Sequence, residues 1–296
     1  MKKYIFFLLF LPLCQLNAGE PARQSTAQSP SSASQQPVNP AWNRLDEKKL
    51  KLRSASALIV DSTGNEIYSK QSATPLPIGS ITKLMTVMVI LDARLPLDEK
   101  IRITKQDRDL IRLTGSRLNY GATLSRRSLL DLALMASENR AASALARTYP
   151  GGTEQFIRAM NAKARQLGMV DSRFTDPAGL DAGNVASPND LVRMVKAASD
   201  YPEIADATTR LRMDVRPYPK RGPLTYGNTN RLLKNQAWNI QLSKTGYINE
   251  AGRCLVMQAK VKGRELTIVL LNSFGKLTPF GDANRVRKWI ERGLSG

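Results

Sequence analysis

Ser80-Ile81-Thr82-Lys83 sets a hydroxyl and an amine three residues apart at the head of an apolar run, so a helix starting there places both on one face, a turn apart. An amine drawn into a low-dielectric site gives up its proton more easily, because desolvation disfavours the charged form. A neutral Lys83 could then accept the proton of Ser80. The N-terminus of the same helix would add backbone N–H groups that favour the oxyanion formed on attack. Alone, the pattern is weak. Ser273-Phe274-Gly275-Lys276 has the same spacing, and such pairs are commonly a capping serine and a surface lysine. What sets Ser80 apart is that Lys83 is the sole charged residue between Thr74 and Leu91, where a surface lysine has no reason to be.

The chain contains no histidine. Ser-His-Asp triads, Cys-His dyads and His-ligated zinc sites are thereby excluded, and a hydrolase built on this sequence must use lysine or a carboxylate as its base. No metal or cofactor is implied. Two further stretches fit a lysine-based site. Ser137-Glu138-Asn139 lies between two helical stretches, where a short irregular link can aim a hydroxyl and an amide at a cleft. Ser187-Pro188-Asn189 shares its spacing and reads as a helix cap. Lys244-Thr245-Gly246, at the end of a strand, offers positive charge, a hydroxyl for a carboxylate, and a glycine that lets a substrate backbone come close. Each is weak singly.

The elements that must position these residues are legible in outline. Ser56 to Asp61 and Glu66 to Lys70 read as strands joined by Ser62-Thr63-Gly64-Asn65, a hairpin signal. After the breakers Pro75 to Gly79, Ser80 to Ala93 reads as a helix apolar all round, hence one that runs through the core. Two helical stretches are expected within Ser125 to Thr148, another over Thr153 to Leu167, and one from the Ser187 cap to about Ala198. Beyond Asp200, Ala237 to Thr245, Arg253 to Val261 and Glu265 to Asn272 read as strands, with Lys262-Gly263 as a tight turn and Asn284 to Leu294 as a closing helix. Strands at both ends with helices between predict an α+β protein in which both chain ends share one antiparallel sheet.

The first eighteen residues, Met1-Lys2-Lys3, an apolar run from Tyr4 to Leu13, and Ala18, read as a cleavable secretory signal. The run is short for a retained membrane anchor, and Leu13 sits where lipid attachment at Cys14 needs a small residue. Residues 19–41 are rich in Ser, Gln and Pro, a flexible tether, and residues 42–296 form the expected folded domain, with a helical subdomain over about 94–200. Removal of the signal leaves Cys254 as the single thiol, expected to be buried and structural. The formal charge is +19, or +17 without Lys2 and Lys3, which favours an anionic partner. Export argues against nucleic acid and for wall polymer or an anionic membrane surface; a basic surface that only keeps the protein soluble is the alternative.

Order and spacing make three weak signals into a strong one. With Ser80, Ser137 and Lys244 separated by 57 and 107 positions, the chain resembles the penicillin-binding proteins and serine β-lactamases. Within them it looks most like the low-molecular-mass D-alanyl-D-alanine peptidases, through LPIGSITKLM around Ser80, SENRAA from Ser137, FTDPAGLD from Phe174 and KTGYINEAGRC from Lys244, over roughly Leu45 to Leu294. Glu138 departs from the aspartate or glycine usual there. The resemblance implies the β-lactamase/transpeptidase-like fold, with Ser80 forming an acyl-enzyme, Lys83 as its base, and Ser137 passing a proton to the departing amine. Asn139 would hold the substrate amide, and Lys244, Thr245 and Gly246 the edge where the peptide lies. The oxyanion would sit on the backbone N–H groups of Ser80 and Tyr247. It implies a periplasmic enzyme acting on peptidoglycan peptides and inhibited by β-lactams. Endopeptidase is favoured over carboxypeptidase because the sequence stops soon after the closing helix, whereas wall carboxypeptidases usually continue into a β-rich domain and an amphipathic anchor. A β-lactamase would need a carboxylate to activate water, and no glutamate lies 35 to 40 residues past Ser137. A non-catalytic wall-binding module is the remaining alternative.

Overall fold

The computed structural model describes residues 41–295. The expected signal, and all of the expected tether except Ala41, lie outside them. The first strands are β1 (Ser56–Asp61) and β2 (Glu66–Lys70). The Asp61 carboxylate closes their turn by accepting from the backbone N–H of Thr63 and Asn65, and it also takes the Trp42 indole N–H at 2.8 Å. The short β3 (Leu76–Pro77) leads to a 3-10 turn at Gly79–Ile81 and then to helix α1 (Thr82–Asp92). Ser80 thus belongs to a tighter turn that precedes the α-helix, whereas the sequence predicted helix from Ser80 itself. Thr82 to Ile90 are all buried, as a helix without a polar stripe requires.

A ribbon, β4 (Lys100–Arg102) with β5 (Thr123–Ser125), leads into α2 (Arg126–Met135), α3 (Asn139–Arg147) and α4 (Gly152–Gln166). The break between α2 and α3 falls at residues 136–138, because Ser137 adopts φ +59° and Glu138 caps α3 through the N–H of Arg140. β6 (Val185–Ala186) pairs with β3, and Ser187 caps α5 (Pro188–Ala198). Next come α6 (Pro202–Thr209) and a ribbon of β7 (Arg212–Val215) with β8 (Leu224–Gly227), neither of which the sequence pattern predicts. The chain closes with β9 (Asn239–Ile248), β10 (Gly252–Val261), β11 (Arg264–Ser273) and α7 (Thr278–Ser295). The Lys262-Gly263 turn carries positive φ at both residues, the geometry that matches the twist of a two-residue hairpin. α7 starts well before the expected Asn284, at Thr278, with Pro279 in its first turn, where proline is tolerated.

The main sheet has the order β2-β1-β11-β10-β9 and is antiparallel throughout, so both chain ends meet at the β1–β11 pair, as the sequence predicts. Alternation along β1 divides the interior in two. Leu58 and Val60 face a core shared with α1 to α5, while Ala57 and Ile59 face a second core with Trp42, Leu50, Trp289 and Ile290. Helix α7 and the N-terminal segment cover one face, and α1 with the remaining helices covers the other.

Candidate active site

The site forms where the Ser80 turn, the α2–α3 link and β9 converge. Close approach is enforced by glycine. A Cβ on Gly246 would lie 2.3 Å from the carbonyl of Ile78, and one on Gly179 would lie 2.0 Å from that of Gly79, so larger residues would push β9 or the 176–181 loop away from the Ser80 turn.

Lys83 is fully buried, and its Nζ lies 2.8 Å from Ser80 Oγ. The same amine donates to Asn139 Oδ1 at 2.8 Å and to the carbonyl of Ala178 at 2.6 Å. Burial pulls its pKa down to about 8, against the opposing pull of the Asp176, Glu138 and Asp109 carboxylates. Roughly a tenth of the molecules therefore carry a neutral Lys83 at pH 7. A second hydroxyl–amine pair faces the first: Lys244, 1% exposed, donates to Ser137 Oγ at 2.9 Å and to its neighbouring Thr245 carbonyl at 3.0 Å. Its pKa is held well below that of a free amine, first by burial and then by the charge of Lys83.

Lys244-Thr245-Gly246 was expected at a strand end; it lies inside β9, which runs on to Ile248. Ser80, Ser137, Thr245, Gly246 and Tyr247 line one cavity of about 290 Å³, and Ser80, Asn139 and Tyr247 also border a second of about 370 Å³. All eight residues singled out from the sequence thus come together, on both sides of Ser80. The two decoys separate as well. Ser187 is a buried cap, and Ser273 Oγ is held by Ser54 Oγ at 2.8 Å.

Several contributors escaped sequence reasoning. Thr114 Oγ1 accepts from Asn139 Nδ2 at 2.9 Å, and Thr229 Oγ1 lies 2.7 Å from Thr245 Oγ1. Arg231, Arg253 and Lys276 bring cations to the first cavity, Arg253 with its guanidinium 3.5 Å above the Tyr247 ring. The Ala178 carbonyl is aimed by Asp176, whose carboxylate accepts the N–H groups of Ala178, Gly179, Leu180 and Asp181 and is also bonded by Asn184. The run of acceptor-seeking backbone in Asp176-Pro177-Ala178-Gly179 was the available signal, since aspartate before a Pro-Gly loop commonly closes it. Cys254 lies beneath Gly246, 1% exposed, and burial raises its pKa to about 12, in keeping with a structural thiol.

Residues 43–275 match the family model described as D-alanyl-D-alanine carboxypeptidase. The chain is 46% identical to a D-alanyl-D-alanine endopeptidase of Pseudomonas aeruginosa, over 82% of this chain and 78% of that one. It is 47% identical to one of Escherichia coli at the same coverage. Among carboxypeptidases, DacF of Bacillus subtilis is 31% identical over 81% of this chain and 62% of its own length. The crystal structure of a Streptomyces DD-transpeptidase superposes with a TM-score of 0.76 at 26% identity, covering 82% of this chain and 98% of that one. Sequence, fold and the placement of Ser80 beside a buried lysine agree: the chain belongs to the D-alanyl-D-alanine carboxypeptidase family.

Proposed function

We propose that this protein is a D-alanyl-D-alanine endopeptidase that cuts the peptide cross-links of peptidoglycan through an acyl-enzyme on Ser80. The observation that carries the reading is the pairing of two hydroxyls with two buried amines, Ser80 with Lys83 and Ser137 with Lys244, around a cleft open on both sides of Ser80. Neutral Lys83 takes the Ser80 proton as Oγ attacks the carbonyl carbon. The oxyanion falls to the N–H groups of Ser80 and Tyr247. That pairing is supported by the tight approach of the two segments, since a Cβ on Gly79 would lie 2.8 Å from Tyr247 N. Collapse of the intermediate breaks the C–N bond, and the departing amine receives a proton from Ser137, which Lys244 orients and which regains its proton from the Lys83 ammonium, so that no charge is left behind. Asn139 holds the substrate amide, Thr245 a carboxylate, and β9 the peptide edge. Water then releases the acyl group.

The endopeptidase preference draws on the higher identity to endopeptidases than to carboxypeptidases. A carboxypeptidase is the second reading, favoured by Arg231, Arg253 and Lys276, which could receive a terminal carboxylate in the first cavity. Penicillin binding follows from the same nucleophile. Both oxygens of Asp176 are held by its own loop, so that carboxylate is not free to activate a deacylating water, and a long-lived penicillin adduct is expected. Residues 1–18 would export the protein to the periplasm, where maintenance of cell shape requires cross-links to be cut.

Digestion of purified cross-linked muropeptides tests the reading. Conversion of dimers to monomers, lost in Ser80→Ala, supports it; release of D-alanine with dimers intact overturns the endopeptidase assignment. An equimolar penicillin adduct on Ser80 by mass spectrometry tests the nucleophile separately.

A further inference from the structure

A groove of about 400 Å³ runs between residues 44–51 and the C-terminal half of α7. It borders the second core, whose residues include Trp289 and Leu50, on the sheet face opposite α1 and Ser80. Arg285, Lys288 and Arg292 fall on one stripe of α7, at spacings of three and four, with Trp289 and Gly293 forming the floor between them. The facing wall supplies Arg44, Lys49 and Lys51. Only Asp46 brings a negative charge to the lining, and its contact with Lys49 is long, at 3.9 Å. Arg285 is tied to the buried Asp282 at 2.6 Å. Arg44, Lys51, Lys288 and Arg292 have no carboxylate within salt-bridge distance among the described residues, and all four are exposed.

Cations so concentrated repel one another, and the fold gains nothing from gathering them unless an anion joins them. The lining also says which anion. The groove presents no exposed large apolar side chain; those lie elsewhere, at Leu110, Leu113, Phe274 and Leu277 for example. Trp289 is 8% exposed, with its indole N–H given to the carbonyl of Asp46 at 2.9 Å. A surface that inserts into lipid needs exposed aromatic or aliphatic side chains, whereas the lining offers only the half-buried Leu45 beside the buried Leu50 and Trp289. Attraction to an anionic membrane would therefore rest on charge alone. A concave, basic channel suits an extended polymer with carboxylates along it. The N-terminal end of α7 meets the catalytic cleft through Pro279 and Phe280, and Arg292 lies about 18 Å further along the helix axis.

We propose that this groove is a second, non-catalytic site that holds a carboxylate-bearing strand of uncut cell wall, raising the concentration of cross-links at the cleft. The identity of the strand rests on the wall-peptidase reading above, whereas the anionic chemistry does not. Sedimentation of Ser80→Ala protein with purified insoluble peptidoglycan tests it, since the wall is then not consumed. Lys288→Glu/Arg292→Glu should cut the bound fraction at low ionic strength about tenfold, and Arg44→Glu/Lys51→Glu, on the opposite wall, should do the same. Lys100→Glu/Lys105→Glu, an equal change in net charge at exposed positions in and just after β4, should leave binding within about twofold of the parent. Unchanged binding in either groove pair, or equal loss in the control pair, overturns the proposal. So does binding to anionic phospholipid vesicles that depends on the groove while wall binding does not. Labelled penicillin, applied to the same substitutions with Ser80 present, should react at the parent rate; a failure of the parent itself to react would sink the catalytic reading and leave the groove result standing.

Discussion

Lys83 concentrates the chemistry and the cost of the site in one side chain. With its pKa at about 8, the acylation rate constant for a labelled penicillin should rise tenfold per pH unit below that value and level off above it. Lys83→Arg should lose acylation by about a thousandfold or more, because a guanidinium stays protonated. Stability carries the same signature with a definite sign. Between pH 8 and 10.5 the folded state holds fewer protons than the unfolded one, so stability rises with pH across that window. Chemical denaturation should show wild type gaining about 3 kcal/mol on Lys83→Met over this range, and a parallel pair of curves would contradict a buried neutral amine. Ser80 and Lys83 were legible as a candidate pair because hydroxyl and amine lie three apart in a histidine-free chain. Thr114, Thr229 and the Ala178 carbonyl were not, since their contribution comes from contacts between segments far apart in sequence.

The loop from Asp176 to Asp181 does at the level of an element what no single site residue can: it fixes a backbone carbonyl against Lys83. Asp176→Asn keeps the volume but turns an N–H donor toward backbone N–H donors. It should cost about 2 kcal/mol in unfolding free energy and slow acylation about tenfold or more. Removal of the negative charge also lets Lys83 fall to a still lower pKa, so the pH–rate profile should move to the acid side. A purely structural loop would lower the plateau without moving the midpoint. Elements built on long apolar runs, such as α1 and the β10–β11 hairpin, were readable because burial on every side leaves no competing pattern. α6 and the β7–β8 ribbon were not, since their short, partly exposed segments lie among Pro, Arg and Lys and gain their form from neighbours.

Across the whole molecule, the meeting of both chain ends in one sheet was foreseeable from strands at either end with helices between. The two-sided core was not, because Ala57 to Val60 form an unbroken apolar run in β1 that hides which residues face which side. The excess of positive charge was plain in composition, but its gathering at one end of α7 depends on residues about 240 positions apart coming together on folding. Cys254, buried on β10 opposite Gly246 where β9 meets the Ser80 turn, gives the molecule a means of reporting on itself. With Cys14 replaced by alanine it is the sole sulfhydryl, and a thiol-specific dye should react with it only when the packing that buries it beneath Gly246 opens. Its labelling rate under native conditions therefore measures how often the wall of the cleft opens. A covalently bound penicillin should slow that labelling if the drug clamps the strand, and leave it unchanged if the edge stays shut in the free enzyme.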